Sequence, residues 1–281
     1  MGRNYDYEKS YEETIMTVPR YKHGNEYAMI GICTGLVKEY PLWYDVMNEE
    51  GLCISALAFT GNAHYTEKMI DGKVNMPPYE FMSYLCGNFN SVESVREYLQ
   101  GANIIDEPYS EDFPNTDLHW LICDKTDCIT VEQTRKGLDV YDNPYGVLTN
   151  NPPFPRQVQE MKSMDKIIGN LYYPSGICES RGTETVGVKG DTTSMSRFQR
   201  IHYYKCQMEN AGKVLYDDVA TLHLLGTVEQ TYGATPVGDG YEYTIYSAVY
   251  DMEKLELMVK PYVSASVRRY TLINRERRYK L

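Results

Sequence analysis

Apolar and polar positions alternate along much of this chain, and the pattern predicts mainly short β-strands. Apolar side chains recur at every second position or fill short runs, which turn formers separate at residues 48–51, 136–137 and 237–240. The predicted strands cover residues 13–18, 27–36, 52–59, 119–123, 129–133, 138–141 and 241–251.

Helical periodicity is found in four segments. Residues 78–86 begin with proline, and residues 91–100 have Ser91 as N-cap and end before Gly101. The other two predicted helices cover residues 194–208 and 214–225. Strands cluster, then helices, then strands again, which favours an α+β layered sandwich over a doubly wound parallel sheet. Because no repeat or linker interrupts the chain, we expect a single domain over residues 1–281.

Charge argues against nucleic acid and anionic membranes as partners. The 281 residues include 28 basic and 39 acidic side chains, a formal net charge of −11. Basic residues are dense only between Arg268 and Lys280, where we expect a solvated chain end. The sequence has neither a signal-peptide apolar region nor an apolar run long enough for a membrane span. We therefore expect a soluble, cytoplasmic protein.

Cysteines and histidines give no sign of a metal site. The seven cysteines are odd in number and contain no C-x-x-C pair, so the simpler interpretation is a reducing compartment. The five histidines form no H-x-x-x-H or H-x-x-E-H unit. The glycine-rich nucleotide-binding motifs and the G-x-S-x-G elbow are also absent from the sequence. We therefore expect no metal and no cofactor.

Three segments place polar groups in turns beside apolar runs, as loops that carry function do. They are residues 2–8, 146–152 and 190–198. Each has an ordinary alternative when judged from the residues alone. Arg3 and Asp6 can form a surface ion pair, Asn150 can be a turn residue, and Asp191 can be an N-cap.

Six short strings resemble, in order and spacing, the landmarks of choloylglycine hydrolases, the family of bile salt hydrolases and penicillin V acylases. The resemblance extends to about Asp251 and weakens after Met252. It implies an N-terminal nucleophile hydrolase with an αββα sandwich, which cleaves the amide bond of glycine- or taurine-conjugated bile acids. The strings are Gly-Arg-Asn-Tyr-Asp at residues 2–6, Met-Asn-Glu-Glu-Gly-Leu at 47–52, Asn-Thr-Asp-Leu-His-Trp at 115–120, Val-Glu-Gln-Thr at 131–134, Gly-Val-Leu-Thr-Asn-Asn-Pro at 146–152 and Ser-Arg-Phe at 196–198.

The resemblance also implies catalytic roles. In the family, an N-terminal cysteine attacks the amide carbonyl, and its free α-amine moves the proton. Asp6 would hold that amine, and Arg3 would favour the thiolate. Asn150 would donate its side-chain amide to the oxyanion, with the backbone N–H of Ala58 as second donor. Arg197 would complete the polar cluster.

Ala58 differs from the residues that family members carry at its position, so the substrate preference stays open. Bile salt hydrolases of this type carry asparagine at that position, and penicillin V acylases commonly tyrosine. The steroid of a bile acid would lie against apolar residues that match the family's pocket, and some of the 27 tyrosines suit such a lining. The predicted substrate-binding residues are Tyr5, Val37, Phe113 and Leu118.

A second departure concerns the nucleophile. Family members begin with Met-Cys and a short strand ahead of the Gly-Arg-Asn string, whereas this sequence begins Met1-Gly2. We therefore expect the chain as written to lack the first strand and the nucleophile, and to be inactive, either through a truncated gene model or as an inactive relative. Cys33, in an Ile-Cys-Thr-Gly string, could substitute, but a buried structural cysteine is the favoured interpretation.

Two alternatives to bile salt hydrolysis remain at this point. A penicillin V acylase would use the same polar cluster on a phenoxyacetyl amide. A non-catalytic bile-acid-binding relative would use the pocket without turnover. In all cases the expected partner is a small molecule, and a homo-oligomer is expected because relatives are commonly tetramers.

Overall fold

A computed structural model gives the fold and describes residues 1–34, 41–111, 113–164, 185, 187–211, 217–264 and 266–281. The strands are β1 Gly2–Tyr7, β2 Thr14–Val18, β3 Met29–Thr34, β4 Leu42–Asn48, β5 Cys53–Ala58, β6 Val74–Met76, β7 Ala102–Ile104, β8 Leu118–Cys123, β9 Cys128–Thr134, β10 Gly137–Asp142, β11 Thr235–Val237, β12 Gly240–Asp251, β13 Glu256–Pro261, β14 Arg268–Thr271 and β15 Arg277–Lys280. The helices are α1 Pro78–Asn88, α2 Val92–Leu99, α3 Phe154–Met164, α4 Ser194–Asn210 and α5 Asp218–Gly226.

Two large sheets contain most of the strands. The eight-stranded sheet has the order β10-β9-β8-β5-β4-β3-β2-β15, and the five-stranded sheet has the order β1-β12-β13-β14 with β11 also paired to β12. Neighbouring strands in both sheets are antiparallel. Strands β6 and β7 form a separate parallel pair.

Three apolar clusters stack these sheets and helices into four layers. The first cluster joins α1 and α2 to one face of the eight-stranded sheet, for example through Phe81 and Trp120, whose ring centroids are 4.3 Å apart. The second fills the space between the sheets, with Ile32 from one and Tyr246 from the other. The third packs Leu225 of α5 against the outer face of the five-stranded sheet. The order helix, sheet, sheet, helix confirms the predicted αββα sandwich.

The strands predicted from alternation are confirmed, within a few residues, as β2, β3, β5, β8, β9, β10 and β12. The alternation missed β4, where Asp45 interrupts the apolar run Leu42–Asn48. It also missed helix α3, which follows two prolines and carries few apolar side chains. The side chains of the basic tail are largely exposed, as expected of a solvated end, and the backbone of the tail is ordered because β15 pairs with β2.

The four predicted helices are observed as α1, α2, α4 and α5. Ser91 caps α2, because its side chain accepts a hydrogen bond from the backbone N–H of Ser94. Thr193 caps α4 and Asp217 caps α5 in the same way. The predicted start of the fourth helix falls partly outside the described residues. No helix within the described ranges is both long and apolar enough to cross a membrane.

The described cysteines include one cross-strand pair and three buried free thiols. Cys123 and Cys128 face each other across β8 and β9 with their sulfur atoms in contact. Cys33, Cys53 and Cys86 are free and buried. The expectation that Cys33 is a buried structural residue of a strand is confirmed, since it is 1% exposed within β3.

Candidate active site

A cavity of about 820 Å³ is bounded by β1, the start of β4, the end of β5 and the first turn of α4, together with two loops around residues 113–116 and 146–151. This volume lies within the range of about 300–1,000 Å³ that is usual for small-molecule sites. Eight of the nine predicted site residues line the cavity, and Val37 lies outside the described residues. The eight are Arg3, Tyr5, Asp6, Ala58, Phe113, Leu118, Asn150 and Arg197.

Arg3 extends from β1 into the space between the two sheets and is held by β4. Its Nη1 donates to the backbone carbonyl of Tyr44 and lies 3.3 Å from Oδ2 of Asp45. The Arg3 and Asp45 side chains are 9% and 0% exposed, so this ion pair is buried. The Nε of Arg3 has no hydrogen-bond partner among the described residues. The guanidinium is therefore fixed in place while it keeps a donor unused.

Two tyrosines of the five-stranded sheet complete this network by donating hydrogen bonds to Asp45 of the eight-stranded sheet. The hydroxyl of Tyr246 donates to its Oδ2 at 2.7 Å, and the hydroxyl of Tyr250 donates to its Oδ1. Burial raises the pKa of Asp45, against the opposing effects of Arg3 and the two hydroxyls. The network joins three strands in two sheets around one carboxyl group, because Tyr246 and Tyr250 both belong to β12.

Asp6 lies on the same strand as Arg3 but after a break in the strand register. Tyr5 pairs with Tyr246 and Asp6 pairs with Thr244, so β12 has an extra residue at this point. Thr244 Oγ1 donates to Oδ1 of Asp6 at 2.6 Å, and Gln230 Nε2 donates to Oδ2 at 2.8 Å. Two donors therefore orient the carboxylate, which is 9% exposed.

Arg197 links Asp6 to Asn150. Its Nη1 lies 3.5 Å from Oδ2 of Asp6, and its Nη2 donates to Oδ1 of Asn150 at 2.8 Å. Its Nε donates to the carbonyl of Thr192 at 3.0 Å, which ties the side chain to the start of its own helix. Because the guanidinium is planar and permanently charged, it fixes the two side chains relative to each other.

Asn150 has one amide hydrogen that remains available. Its Nδ2 donates to the carbonyl of Ala58 at 3.1 Å, and a primary amide carries two hydrogens. Since Asn150 and Ala58 both line the cavity, their contact brings the two predicted oxyanion donors to one place. Arg3, Asp6, Asn150 and Arg197 thus surround one cavity, although they lie up to 194 residues apart, between positions 3 and 197.

Asp191 is not the N-cap of a helix, as its position in the sequence allowed, but supports the N-cap residue of α4. Thr193 is the N-cap of α4, and Asp191 lies just before it. The carboxylate accepts from the backbone N–H and the hydroxyl of Thr193 and from the hydroxyl of Ser196. The hydrogen bond from the Thr193 hydroxyl is the main reason that the pKa of Asp191 falls to about 2. Asp191 therefore stabilises the helix start that carries Arg197.

Apolar and aromatic side chains form the wider part of the cavity. Phe113 is 37% exposed and contacts Tyr109 edge to face, with ring centroids 6.2 Å apart. Tyr5 is buried between Tyr44 and Tyr246, at centroid distances of 4.5 and 5.2 Å. One wall of the cavity is therefore charged and hydrogen-bonded, and the others suit an apolar ligand.

Three residues that hold the site were not predicted from the sequence: Asp45, Gln230 and Thr244. A signal existed for Asp45, which is the one acidic residue in the strand Leu42–Asn48. A charge in such a strand indicates a buried ion pair or a functional site. Gln230 and Thr244 carry no comparable signal, because they reach Asp6 from more than 200 residues away along the chain.

Comparison with known proteins decides the family. The sequence profile of the linear amide C–N hydrolases, choloylglycine hydrolase family, matches residues 1–276. The chain belongs to the choloylglycine hydrolase family. It is 39% identical over 288 residues to the bile salt hydrolase/transferase of Lactiplantibacillus plantarum, covering 96% of this chain and 88% of the relative. It is 37% identical over 279 residues to the bile salt hydrolase/transferase of Clostridium perfringens, covering 90% and 82%.

Solved structures show the same fold. A cysteine-to-alanine variant of the conjugated bile acid hydrolase from Clostridium perfringens superposes with a TM-score of 0.92 at 33% identity, covering 100% of this chain and 92% of that one. Penicillin V acylase from Agrobacterium tumefaciens superposes with a TM-score of 0.72, covering 96% and 81%. At 18% identity, the likeness to the acylase shows the fold alone. This choloylglycine hydrolase family member therefore has the N-terminal nucleophile hydrolase fold.

Proposed function

We propose that this protein hydrolyses the amide bond of glycine- or taurine-conjugated bile acids. The observation that carries the proposal is the cavity that holds Arg3, Asp6, Asn150 and Arg197 together beside an apolar wall. A conjugated bile acid has a large apolar steroid joined through an amide to a small anionic group. The steroid matches the apolar wall of the cavity, and the amide and the anionic group match the polar cluster. The names of the relatives from Lactiplantibacillus plantarum and Clostridium perfringens support the same substrate class.

In this proposal, Asn150 and Ala58 stabilise the oxyanion that forms when the amide carbonyl is attacked. The unused hydrogen of Asn150 Nδ2 donates to the developing charge, and the backbone N–H of Ala58 is the second donor. A preorganised donor of this kind contributes about 3–4 kcal/mol in the transition state. The amide needs no reorganisation, because Arg197 already fixes its oxygen at 2.8 Å.

The charged residues act on the nucleophile. In the family the attacking group is the thiolate of an N-terminal cysteine whose free α-amine moves the proton, so the hydrolase proposal applies to the chain that carries this cysteine ahead of Gly2. A guanidinium held rigidly, as Arg3 is by Asp45, lowers the pKa of a nearby thiol. Asp6 holds the α-amine as an oriented carboxylate. Arg197 fixes the side chains of Asp6 and Asn150 relative to each other.

The steroid lies, in this proposal, against the apolar walls formed in part by Phe113, Leu118 and Tyr5. Val37 remains a predicted contact that lies outside the described residues. Phe113 offers the exposed ring that an apolar ligand can cover. The gain from covering apolar area is about 25 cal/mol per Å².

A second candidate function is binding without turnover. The described buried thiols do not suit the role of nucleophile: burial raises the pKa of Cys33 and of Cys53 to about 12, so both are protonated at neutral pH. Burial likewise raises the pKa of Cys86. This observation favours a bile-acid-binding protein that uses the same cavity.

One pair of measurements separates the candidates. The protein with Met-Cys and a short strand added ahead of Gly2 is mixed with the glycine and taurine conjugates of cholic acid, released amino acid is quantified, and binding is measured by calorimetry; the chain as written is the control. Release above a no-enzyme control supports the hydrolase. Heat of binding without release supports the binding protein. If neither release nor binding is detected, both proposals are wrong.

Penicillin V acylase activity is the runner-up within the hydrolase class. Residue 58 helps to separate bile salt hydrolases from penicillin V acylases. Because Ala58 has no side chain beyond Cβ, it does not distinguish the two activities. The same preparation is therefore tested with penicillin V, with release of phenoxyacetic acid as the measurement. Faster release from penicillin V than from either bile acid conjugate would reverse the order of preference.

We also propose a single-domain protein that works in the cytoplasm as a homo-oligomer, a tetramer as in relatives. The family profile over residues 1–276 supports the single domain. Light scattering after size-exclusion chromatography tests the assembly, since a 32.4 kDa chain gives a tetramer of about four times that mass. Fractionation of the producing cells tests the location.

A further inference from the structure

Gln157 lies in the first turn of α3, directly after the loop that carries Asn150, and its side chain is fully buried. Its Nε2 donates to the carbonyl of Asn150 at 2.7 Å and to the carbonyl of Pro152 at 2.7 Å. Its Oε1 lies 3.4 Å from the hydroxyl of Thr149. One side chain therefore contacts three of the four residues 149–152.

The position of Gln157 explains this reach. Side chains on a helix point towards its N-terminus, so a long side chain in the first turn extends back over the preceding loop. Glutamine supplies two hydrogens from one nitrogen, which satisfies two buried carbonyls together. A glutamate of the same shape has no hydrogen to donate when ionised, and its charge repels both carbonyl oxygens.

The loop is also fixed at two other points. Thr149 Oγ1 donates to the carbonyl of Ser194 at 3.1 Å, which connects the loop to α4. Asn151 Nδ2 donates to the carbonyl of Thr60 at 2.9 Å. These contacts fix the residues next to Asn150, whereas Gln157 holds the backbone of Asn150 itself.

We propose that Gln157 is a positioning residue that sets the direction of the Asn150 side-chain amide for the oxyanion. This inference rests on the proposed function of Asn150. Gln157 does not line the cavity, so it acts through the loop and touches no substrate. A misplacement of about 1 Å can lower a rate about a hundredfold, so loss of this clamp acts mainly on kcat.

Gln133 provides a matched control. It is also fully buried and also clamps backbone, since its Nε2 donates to the carbonyl of Ile104 at 2.6 Å and its Oε1 accepts from the N–H of Ile104 at 2.7 Å. Gln133 does not line the cavity and does not contact Asn150 in the described structure. Gln133→Glu therefore makes the same chemical change at a structural clamp.

The first measurement needs no turnover. The side-chain amide signal of Asn150 is assigned in ¹⁵N–¹H spectra by its loss in Asn150→Asp. We expect Gln157→Glu to shift this signal and to speed its hydrogen exchange at least threefold, and Gln133→Glu to leave it in place. Gln157→Met, which has no charge and a similar length, is the second variant in case the glutamate prevents folding. An unchanged Asn150 signal in both Gln157 variants overturns the proposal.

The second measurement is hydrolysis of the glycine conjugate of cholic acid by the protein with its N-terminal cysteine restored. We expect Gln157→Met to lower kcat about tenfold to a hundredfold with KM within about twofold, and the matched Gln133→Met to leave both unchanged. Equal losses of kcat in the Gln157 and Gln133 variants would show that both glutamines have only a general structural role, and would overturn the proposal. If the Gln157 variants shift the Asn150 signal but the protein with its cysteine restored and Gln157 unchanged hydrolyses nothing, the proposed function is wrong while the positioning by Gln157 stands.

Discussion

The buried pair of Arg3 and Asp45 allows a quantitative test of how the two sheets are joined. Asn at position 45 keeps the shape of the side chain but removes its charge, which leaves the guanidinium of Arg3 between the sheets without a counterion. Asp45 is 0% exposed and Arg3 is 9% exposed, so little water can replace the carboxylate. Breaking a buried pair by removing one partner costs about 3–5 kcal/mol.

The lower part of that range is expected for Asp45→Asn. The amide oxygen can still accept a hydrogen bond from the hydroxyl of Tyr246 or Tyr250, so one contact of the network survives. A loss of about 3 kcal/mol is a large part of a typical stability of about 5–15 kcal/mol. With a urea slope of about 3 kcal/mol per molar, the unfolding midpoint falls by about 1 M.

A double-mutant cycle separates the ion pair from other effects. Arg3→Met removes the other charge, and the double variant Arg3→Met/Asp45→Asn has no unpaired charge to bury. We expect the double variant to be more stable than the sum of the single losses predicts, by about 1–3 kcal/mol. Urea unfolding followed by circular dichroism gives all four stabilities, and Asp71→Asn at an exposed site is the control. Strictly additive losses, or a loss below 1 kcal/mol for Asp45→Asn, would refute the reasoning.

Three further predictions use other contacts. In the enzyme with its N-terminal cysteine restored, Asn150→Ala should lower kcat for bile salt hydrolysis about a hundredfold or more with KM within a few fold, and a change in KM alone would make Asn150 a binding residue. Gly31→Ala should destabilise the fold by about 1–3 kcal/mol, because a Cβ there would lie 2.3 Å from the carbonyl oxygen of Asp45; Gly190→Ala, with no atom within 4 Å, is the control. Asp191→Asn should lower the thermal midpoint above about pH 4, and the difference should shrink towards pH 2, since a lowered carboxyl pKa stabilises the fold only while the group is ionised; a difference independent of pH would contradict this.

Alternation and helix capping predicted most of the long strands and helices because both are local properties, whereas the αββα order of the layers was implied by the resemblance to the family. Strands such as β2 and β5 repeat apolar side chains within five or six residues, so their periodicity is visible without any partner. Strand β4 was not predicted because its buried charge is stable only through contacts with other strands. Asp45 breaks the apolar run, and only the packing of Arg3 and β12 against it explains why a charge is tolerated there.

The candidate site was predictable to the extent that its residues lie in the motifs that resemble those of the family. Arg3, Asp6, Asn150 and Arg197 come from three separate segments, and each segment alone has an ordinary structural explanation. The residues that support them were not predictable in the same way. Thr244 and Gln230 contact Asp6 only because a bulge in β12 aims its carboxylate at them. No local pattern encodes a contact across that distance.

The two ends of β1 hold opposite charges for a physical reason. Arg3 faces the space between the sheets, where Asp45 compensates its charge. After the bulge, Asp6 meets hydrogen-bond donors and, at 3.5 Å, the guanidinium of Arg197 from the helix layer. Each charge is therefore fixed by a different layer of the sandwich, and their relative position follows from the packing of three layers. A change in that packing would alter the site even if every cavity residue remained, which is why stability and activity should be measured together in all the variants above.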